Sequence, residues 1–139
     1  MRDALWTVAM AGLLAMTVRS TGVSARDQDP LSAYRWTSRV LLISAPGADD
    51  PRLRAQRDIL AAAGAGVADR NLVSVEAIGP DPRSTALRRR FRLPDDAFRA
   101  VLVGKDGGAK LSSDQPIPQQ ALFSTIDAMP MRRDEMHSR

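Results

Sequence analysis

The sequence of 139 residues contains no cysteine, the residue whose thiolate attacks disulfides and peroxides near neutral pH. Disulfide bonds are excluded for the same reason, so the folded chain depends on packing for its stability. The only histidine, His137, lies near the carboxyl terminus, and no Ser-His-Asp or Cys-His arrangement is expected. The composition therefore excludes thiol chemistry and offers no other catalytic constellation in its place.

Long hydrophobic runs are also scarce. The longest, residues 4–18, follows Arg2 and precedes small residues ending at Ala25, which is the layout of a secretory signal. The run is shorter than the roughly 20 residues that cross a bilayer as a helix, although an uncleaved anchor is the alternative. We expect residues 1–25 to be a signal peptide and residues 26–139 to form one periplasmic or secreted domain, without stable membrane insertion after cleavage.

Positive charge exceeds negative charge, with a net charge of +4. Arginine carries almost all of it, since Lys105 and Lys110 are the only lysines. An arginine excess reflects genome composition as easily as a charged partner, and no aromatic residues alternate with the arginines for stacking on bases. Together with export, this argues against nucleic acid as a partner.

The first half of the expected domain predicts a strand, a helix and a strand. Residues 40–43 form a continuous aliphatic run, typical of a central strand that is covered on both faces. Asp50, followed by proline, is typical of a helix start, and Gly64 and Gly66 are expected to end that helix. Residues 72–78 alternate between apolar and polar side chains, as in a strand with one wet face. This order implies a right-handed parallel crossover.

The second half predicts a helix, a hairpin and a closing helix. Ser84 is expected to cap a helix that runs through Arg92. Residues 100–103 predict a second buried strand, and an Asp-Gly turn leads from it to a short polar edge strand at residues 110–113.

Pro118 is expected to open the last helix and Pro130 to end it, so that the core covers about residues 36–130 and residues 131–139 form a polar tail. The order βαβαββα predicts an α/β fold with a thioredoxin-like layout, in which helices cover both faces of a four-stranded mixed sheet.

Four segments resemble a family of exported bacterial proteins known as domain of unknown function 4174. The two most specific are residues 104–110 (GKDGGAK) and 126–133 (IDAMPMRR), supported by residues 39–42 (RVLL) and 87–91 (LRRRF). The resemblance runs from about residue 30 to residue 136, and it extends to repeats in vertebrate extracellular matrix proteins that carry sushi or coiled-coil labels. It implies a thioredoxin-like or peroxiredoxin-like fold without redox cysteines, and it implies no reaction and no catalytic residue.

The loop at residues 45–50 occupies the place where a thioredoxin-like protein carries its cysteines, and it offers no nucleophile. Asp49 and Asp50 are interpreted as helix-capping residues rather than metal ligands, because no histidine or third carboxylate accompanies them. The arginine run at residues 88–90, continued by Arg92, is interpreted as the solvated face of a helix. Binding of phosphate, an acidic polysaccharide or an anionic lipid surface is the alternative.

Lys105, Lys110, Arg132 and Arg133 are the weak candidates for ligand binding. Turn chemistry and a charged sheet edge explain the two lysines without a ligand. Arg132 or Arg133 is expected to fold back onto Asp127 or onto carbonyl groups at the helix end, and a partner-binding tail is the second interpretation.

The sequence therefore predicts an exported, noncatalytic binding or interaction domain of unknown specificity. The alternative is an enzyme that acts, without thiol chemistry, on an anionic small molecule held by these four basic residues. The expected partner is a protein, a glycan or an anionic small molecule, and no catalytic residue, cofactor or metal is expected.

Overall fold

The computed structural model describes residues 29–139, so the predicted signal peptide and its cleavage point lie outside the described residues. A 3-10 turn at Ser32–Tyr34 leads into the first strand. The strands are β1 (Arg39–Ala45), β2 (Leu72–Ile78), β3 (Arg99–Val103) and β4 (Ala109–Ser113). The helices are α1 (Pro51–Ala62), α2 (Gly64–Asp69), α3 (Pro82–Phe91), α4 (Gln119–Asp127) and α5 (Pro130–His137).

The four strands form one mixed sheet in the order β2-β1-β3-β4. Strands β1 and β2 run parallel, with Arg39 opposite Leu72 and Ala45 opposite Ile78. The β1–β3 and β3–β4 pairs are antiparallel, so β4 lies at an edge. The predicted α/β class, the four-stranded mixed sheet and the central position of residues 40–43 are confirmed.

The sheet carries an apolar layer on each face because successive side chains of β1 point in opposite directions. Leu41 and Ile43 pack with residues of α1 and α4 on one face. Val40 and Leu42 pack with Leu87 of α3 on the other face. Every residue of β1 is buried, which explains why the strand reads as a continuous apolar run rather than an alternating one.

Aspartate-proline pairs start two of the helices. Asp50 accepts hydrogen bonds from the backbone N–H groups of Arg52 and Leu53, at 2.8 and 3.3 Å, so its predicted capping role is confirmed. The predicted cap at Ser84 is wrong. Asp81 caps α3 by accepting from the Ser84 N–H at 3.0 Å, and Ser84 itself is buried within the first turn.

Gly64 and Gly66 do not end the helical segment as predicted. Helix α1 ends at Ala62, and α2 begins at Gly64 with Gly66 inside it. A Cβ atom at position 66 would lie 2.5 Å from the ring of Phe123 in α4. The glycine therefore serves the close approach of two helices rather than a chain reversal.

The residues predicted to form a polar tail are helical. Helix α4 ends at Asp127, and Pro130 occupies the first turn of α5, where its missing N–H costs no hydrogen bond. Pro130 therefore begins a helix instead of ending one. None of the helices in residues 29–139 combines the length and hydropathy that a membrane-crossing segment requires.

Candidate functional site

A network of ion pairs fixes α5 against the sheet. Arg39, at the start of β1, is 1% exposed and donates from Nη1 and Nη2 to the carboxylate of Glu135, both at 3.2 Å. Lys105 in the hairpin donates to the same carboxylate at 2.5 Å. Burial alone would raise the pKa of Glu135, but the bonds from Lys105 and Arg39 lower it overall. The single carboxylate of Glu135 thus pairs with one cation from β1 and with one from the β3–β4 hairpin.

Arg132 anchors the other side of α5. It is 3% exposed and donates to Asp69 at 2.6 Å and to Asp127 at 3.2 Å. The predicted return of Arg132 to Asp127 is confirmed. Bonds from Arg139 and Arg132 lower the pKa of Asp69 to about 2.

The hairpin and the α4–α5 junction enclose a cleft of about 290 Å³, called here the hairpin cleft. Lys105 and Lys110 line it together with Ala128, Met129 and Met131. Arg132 and Arg133 do not line it. The structure therefore brings two of the four candidate residues together, buries the third in ion pairs and leaves the fourth exposed on α5.

Most polar groups of the hairpin cleft already have partners within the protein, but the buried Nε of Arg39 has none among residues 29–139. Lys110 donates to Asp106 at 2.8 Å, and this bond lowers the pKa of the Asp106 carboxyl. The hydroxyl of Thr125 donates to the carbonyl of Ala121 at 2.8 Å. No lining residue is a cysteine or a histidine.

A second cleft, of about 520 Å³, lies at the carboxyl ends of β1 and β2, and is called here the end cleft. Three prolines, Pro46, Pro80 and Pro94, line it together with Leu93 and Arg88. It adjoins the cysteine-free loop at residues 45–50. In residues 29–139, no three histidine, aspartate or glutamate side chains come together as a metal site would require.

The prediction that the arginine run is a solvated face is wrong for Arg88. Its side chain turns inward and donates to Ser44, Gly79 and Ala77. Carbonyl groups at the end of β2 need hydrogen-bond donors, and the long side chain of Arg88 reaches them from α3. Arg89 and Arg92 are exposed, as predicted.

Arg90 departs from the same prediction in part. Its side chain is half-buried and donates to Asp29 at 2.7 Å and to the carbonyl of Gly107 at 2.9 Å. Arginine at this position ties α3 to the hairpin turn.

Sequence reasoning missed Arg39 and Arg88 as buried charges. Arg39 is the first residue of an all-buried strand, and Arg88 follows the core residue Leu87. Both positions adjoin apolar residues in the sequence, and this neighbourhood is the signal that indicates a buried arginine. A periodicity argument treats arginine as solvated and does not register its long reach.

Comparison with known proteins relates the sequence of the chain to a family. A family model described as Domain of unknown function (DUF4174) matches residues 30–135. The chain is 31% identical to Sushi repeat-containing protein SRPX of Rattus norvegicus over 112 residues, which is 70% of this chain and 24% of the rat protein. SRPX of Homo sapiens shows the same identity and coverage.

Coiled-coil domain-containing protein 80 of Danio rerio is 24% identical over 149 residues, which is 83% of this chain and 17% of the fish protein. The chain thus spans about a quarter or less of the length of these relatives. No solved structure matches it. The family match covers most of the chain, and the protein therefore belongs to the DUF4174 family.

Proposed function

We propose that this domain is an exported, noncatalytic binding module and that the hairpin cleft is its contact surface for a protein partner. The observation that carries the proposal is the chemistry of the cleft wall. Apolar side chains from the α4–α5 junction and two lysines of the hairpin line the cleft, and neither a cysteine nor a histidine accompanies them.

The arrangement of the basic residues favours binding over catalysis. An enzyme for an anionic small molecule needs several cations directed at one point. Here Arg132 is held by Asp69 and Asp127, and Arg133 lies outside both clefts. Two lysines that already have carboxylate partners do not supply such a point.

The size of the hairpin cleft favours a protein segment over a free metabolite. Small-molecule pockets usually enclose about 300 to 1,000 Å³, and the hairpin cleft, at about 290 Å³, is at the lower limit. A cleft of this size accepts one or two side chains. The exposed side chain of Met131 adapts its shape to a partner because its thioether stem is flexible.

The lysines indicate which side chains the partner presents. Lys110 is paired with Asp106 near the surface, where such a pair contributes little stability. An incoming carboxylate exchanges with Asp106 at small cost. The partner segment therefore carries one apolar side chain, which inserts between Met129 and Met131, and an acidic residue next to it.

Export is part of the proposal, and the first 25 residues support it by their composition. A chain without cysteine also loses nothing in an oxidising compartment. The test is amino-terminal sequencing of the protein recovered from the periplasm or the medium. A start at Arg26 supports export with cleavage, whereas recovery only from the cytoplasm with Met1 in place contradicts it.

Capture of partners from the exported fraction tests the contact surface. The full chain, the Met131→Asp variant and the Ala55→Asp variant are immobilised in parallel. Ala55 is an exposed residue of α1 outside the hairpin cleft, so its variant controls for added negative charge. A protein that the parent and Ala55→Asp retain, and that Met131→Asp loses, supports the surface. Equal retention by all three chains contradicts it.

Turnover assays test the noncatalytic part of the proposal. The cysteine-free chain is expected to reduce neither peroxide nor an insulin disulfide above the rate of a heat-unfolded sample. A saturable rate that disappears on unfolding would show that the protein is an enzyme.

A further inference from the structure

One buried arginine differs from the other two in residues 29–139. Arg39 and Arg132 are buried and form ion pairs with carboxylates. Arg88 is 9% exposed, and no carboxylate oxygen in the described residues lies within 4.0 Å of its guanidinium, since it takes part in none of their salt bridges. A positive charge is thus held largely out of water with no carboxylate in direct contact, although Asp81 lies close enough to interact with it electrostatically.

The contacts of Arg88 leave part of its donor capacity unused. Nε donates to the Ser44 hydroxyl at 3.2 Å, Nη1 to the Gly79 carbonyl at 2.7 Å and Nη2 to the Ala77 carbonyl at 3.0 Å. A guanidinium carries five N–H groups, so two of them have no partner among residues 29–139. Neutral oxygens orient the group but do not neutralise it.

Arg88 lines the end cleft, where the parallel strands β1 and β2 end. Ligands of open α/β sheets bind outside the carboxyl ends of the strands. The hairpin cleft lies at the other end of β1, since Arg39 lines one cleft and Pro46 the other. A strand of this length separates the two clefts by about 20 Å, at roughly 3.3 Å per residue.

The residues that line the end cleft favour a ligand with an apolar body. Proline rings and Leu93 present apolar surfaces, and proline has no N–H to donate. Asp95 also lines the cleft, and its charge disfavours anions of charge two or more. The geometry points to an organic monocarboxylate with an apolar body as the ligand, its carboxylate on Arg88 and its body between the prolines.

This site is independent of the hairpin cleft, so either proposal stands if the other fails. A carboxylate of this kind comes from two sources, a free organic acid or the carboxyl terminus of a peptide. Benzoate represents the first and acetyl-Ala-Ala-Phe with a free carboxyl terminus represents the second. Benzamide and the carboxamide form of the same peptide are the uncharged counterparts.

Titrations of the ¹⁵N-labelled full chain, followed by NMR, test the site. We expect saturable shifts of the Arg88 Nε–H and Thr85 amide resonances with benzoate or with the free peptide, and none with the two amides. The probe that binds more tightly identifies the source. Binding of neither acid, or equal binding of an acid and its amide, overturns the proposal. Equally tight binding of inorganic phosphate also overturns it.

Variants separate ligand binding from a structural role of Arg88. Arg88→Met is expected to abolish the shifts elsewhere in the cleft, whereas Arg89→Met, on the exposed face of the same helix, leaves them unchanged. Unaltered binding by a folded Arg88→Met chain overturns the proposal. If Arg88→Met does not fold, the Asp95→Asn variant tests the proposal instead. Asp95 is exposed at the rim of the cleft, so this substitution is expected to leave the fold intact.

Removing the Asp95 charge is expected to tighten carboxylate binding about threefold, the size of an exposed charge–charge term. If Arg88 has only a structural role, the Asp95→Asn variant shows no tighter carboxylate binding. An affinity that stays the same or weakens in Asp95→Asn therefore overturns the proposal.

Discussion

At the scale of single residues, the buried arginines determine how the ends of the sheet are held. Arg39 and Arg132 each satisfy a carboxylate and a backbone carbonyl. An arginine accomplishes this because its planar group donates in several directions at once. The two residues therefore act as bridges between α5 and the rest of the domain.

Replacing Arg132 with methionine tests this role. The change leaves Asp69 and Asp127 without a shared partner, although Arg139 and Arg70 still pair with them. We expect a loss of about 2–3 kcal/mol, below the usual 3–5 kcal/mol for a broken buried pair. Arg133→Met, at the exposed neighbouring position, is expected to change stability by less than about 0.5 kcal/mol. Urea unfolding measures both, and equal effects would contradict the assignment.

Gly66 provides a second test at this scale. Alanine is a better helix former than glycine by about 1 kcal/mol, but its Cβ would lie 2.5 Å from Phe123. Overpacking of this kind costs about 1–3 kcal/mol, so Gly66→Ala is expected to be destabilising. Gly64 has no atom within 4 Å of a Cβ position, and Gly64→Ala is expected to stabilise. Thermal unfolding of the two variants with the same sign of change would contradict this explanation.

Single-residue roles were predictable where the signal was local. Asp50 and its proline identified the start of α1, and the same pair at Asp81 and Pro82 starts α3. Serine caps helices about as well as aspartate does, so the sequence pattern does not distinguish Ser84 from Asp81 as the cap of α3. The inward turn of Arg88 depends on carbonyl groups distant in sequence, so no local pattern reveals it.

At the scale of elements, the strands were predictable and the two short helices were not. Residues 40–43 and 72–78 have the runs and alternation that strands require. Helices α2 and α5 are six and eight residues long, too short to be stable alone. Tertiary contacts stabilise them, through Phe123 for α2 and through Glu135 and Arg132 for α5.

The docking of α5 is expected to weaken in acid. The pKa of Asp69 is lowered to about 2 by Arg139 and Arg132, and the pKa values of Asp127 and Glu135 are also lowered. A carboxyl whose pKa is lower in the folded state stabilises the fold above its unfolded pKa, near 4, and loses that contribution as pH falls. Hydrogen exchange of α5 is therefore expected to accelerate relative to β1 between about pH 4 and pH 2.

Glu135→Gln reproduces part of this loss at neutral pH, because it removes the charge that faces Arg39 and Lys105. Asp134→Asn is the matched control at the exposed neighbouring position. The amides of α5 should lose protection in Glu135→Gln alone. Protection that persists to pH 2 in the parent, or that is equal in both variants, would contradict the electrostatic docking of α5.

At the scale of the whole molecule, the sheet places two clefts at opposite ends of β1 and leaves the apolar layers between them. The predicted architecture located the hairpin and the cysteine-free loop correctly. It did not show that Lys105 and Lys110 share a cleft while Arg132 faces away. Which of these residues share a cleft depends on the path of α5, and its residues were predicted to form a polar tail.

The central claim is that the hairpin cleft contacts a protein partner, and site-specific photocrosslinking in the producing cell tests it most directly. p-Benzoylphenylalanine is placed at position 131 and, in a separate strain, at position 55. We expect one discrete adduct from position 131, none from position 55, and a several-fold weaker adduct when Lys110→Glu is added. No adduct from position 131, or the same adduct from both positions, would contradict the account.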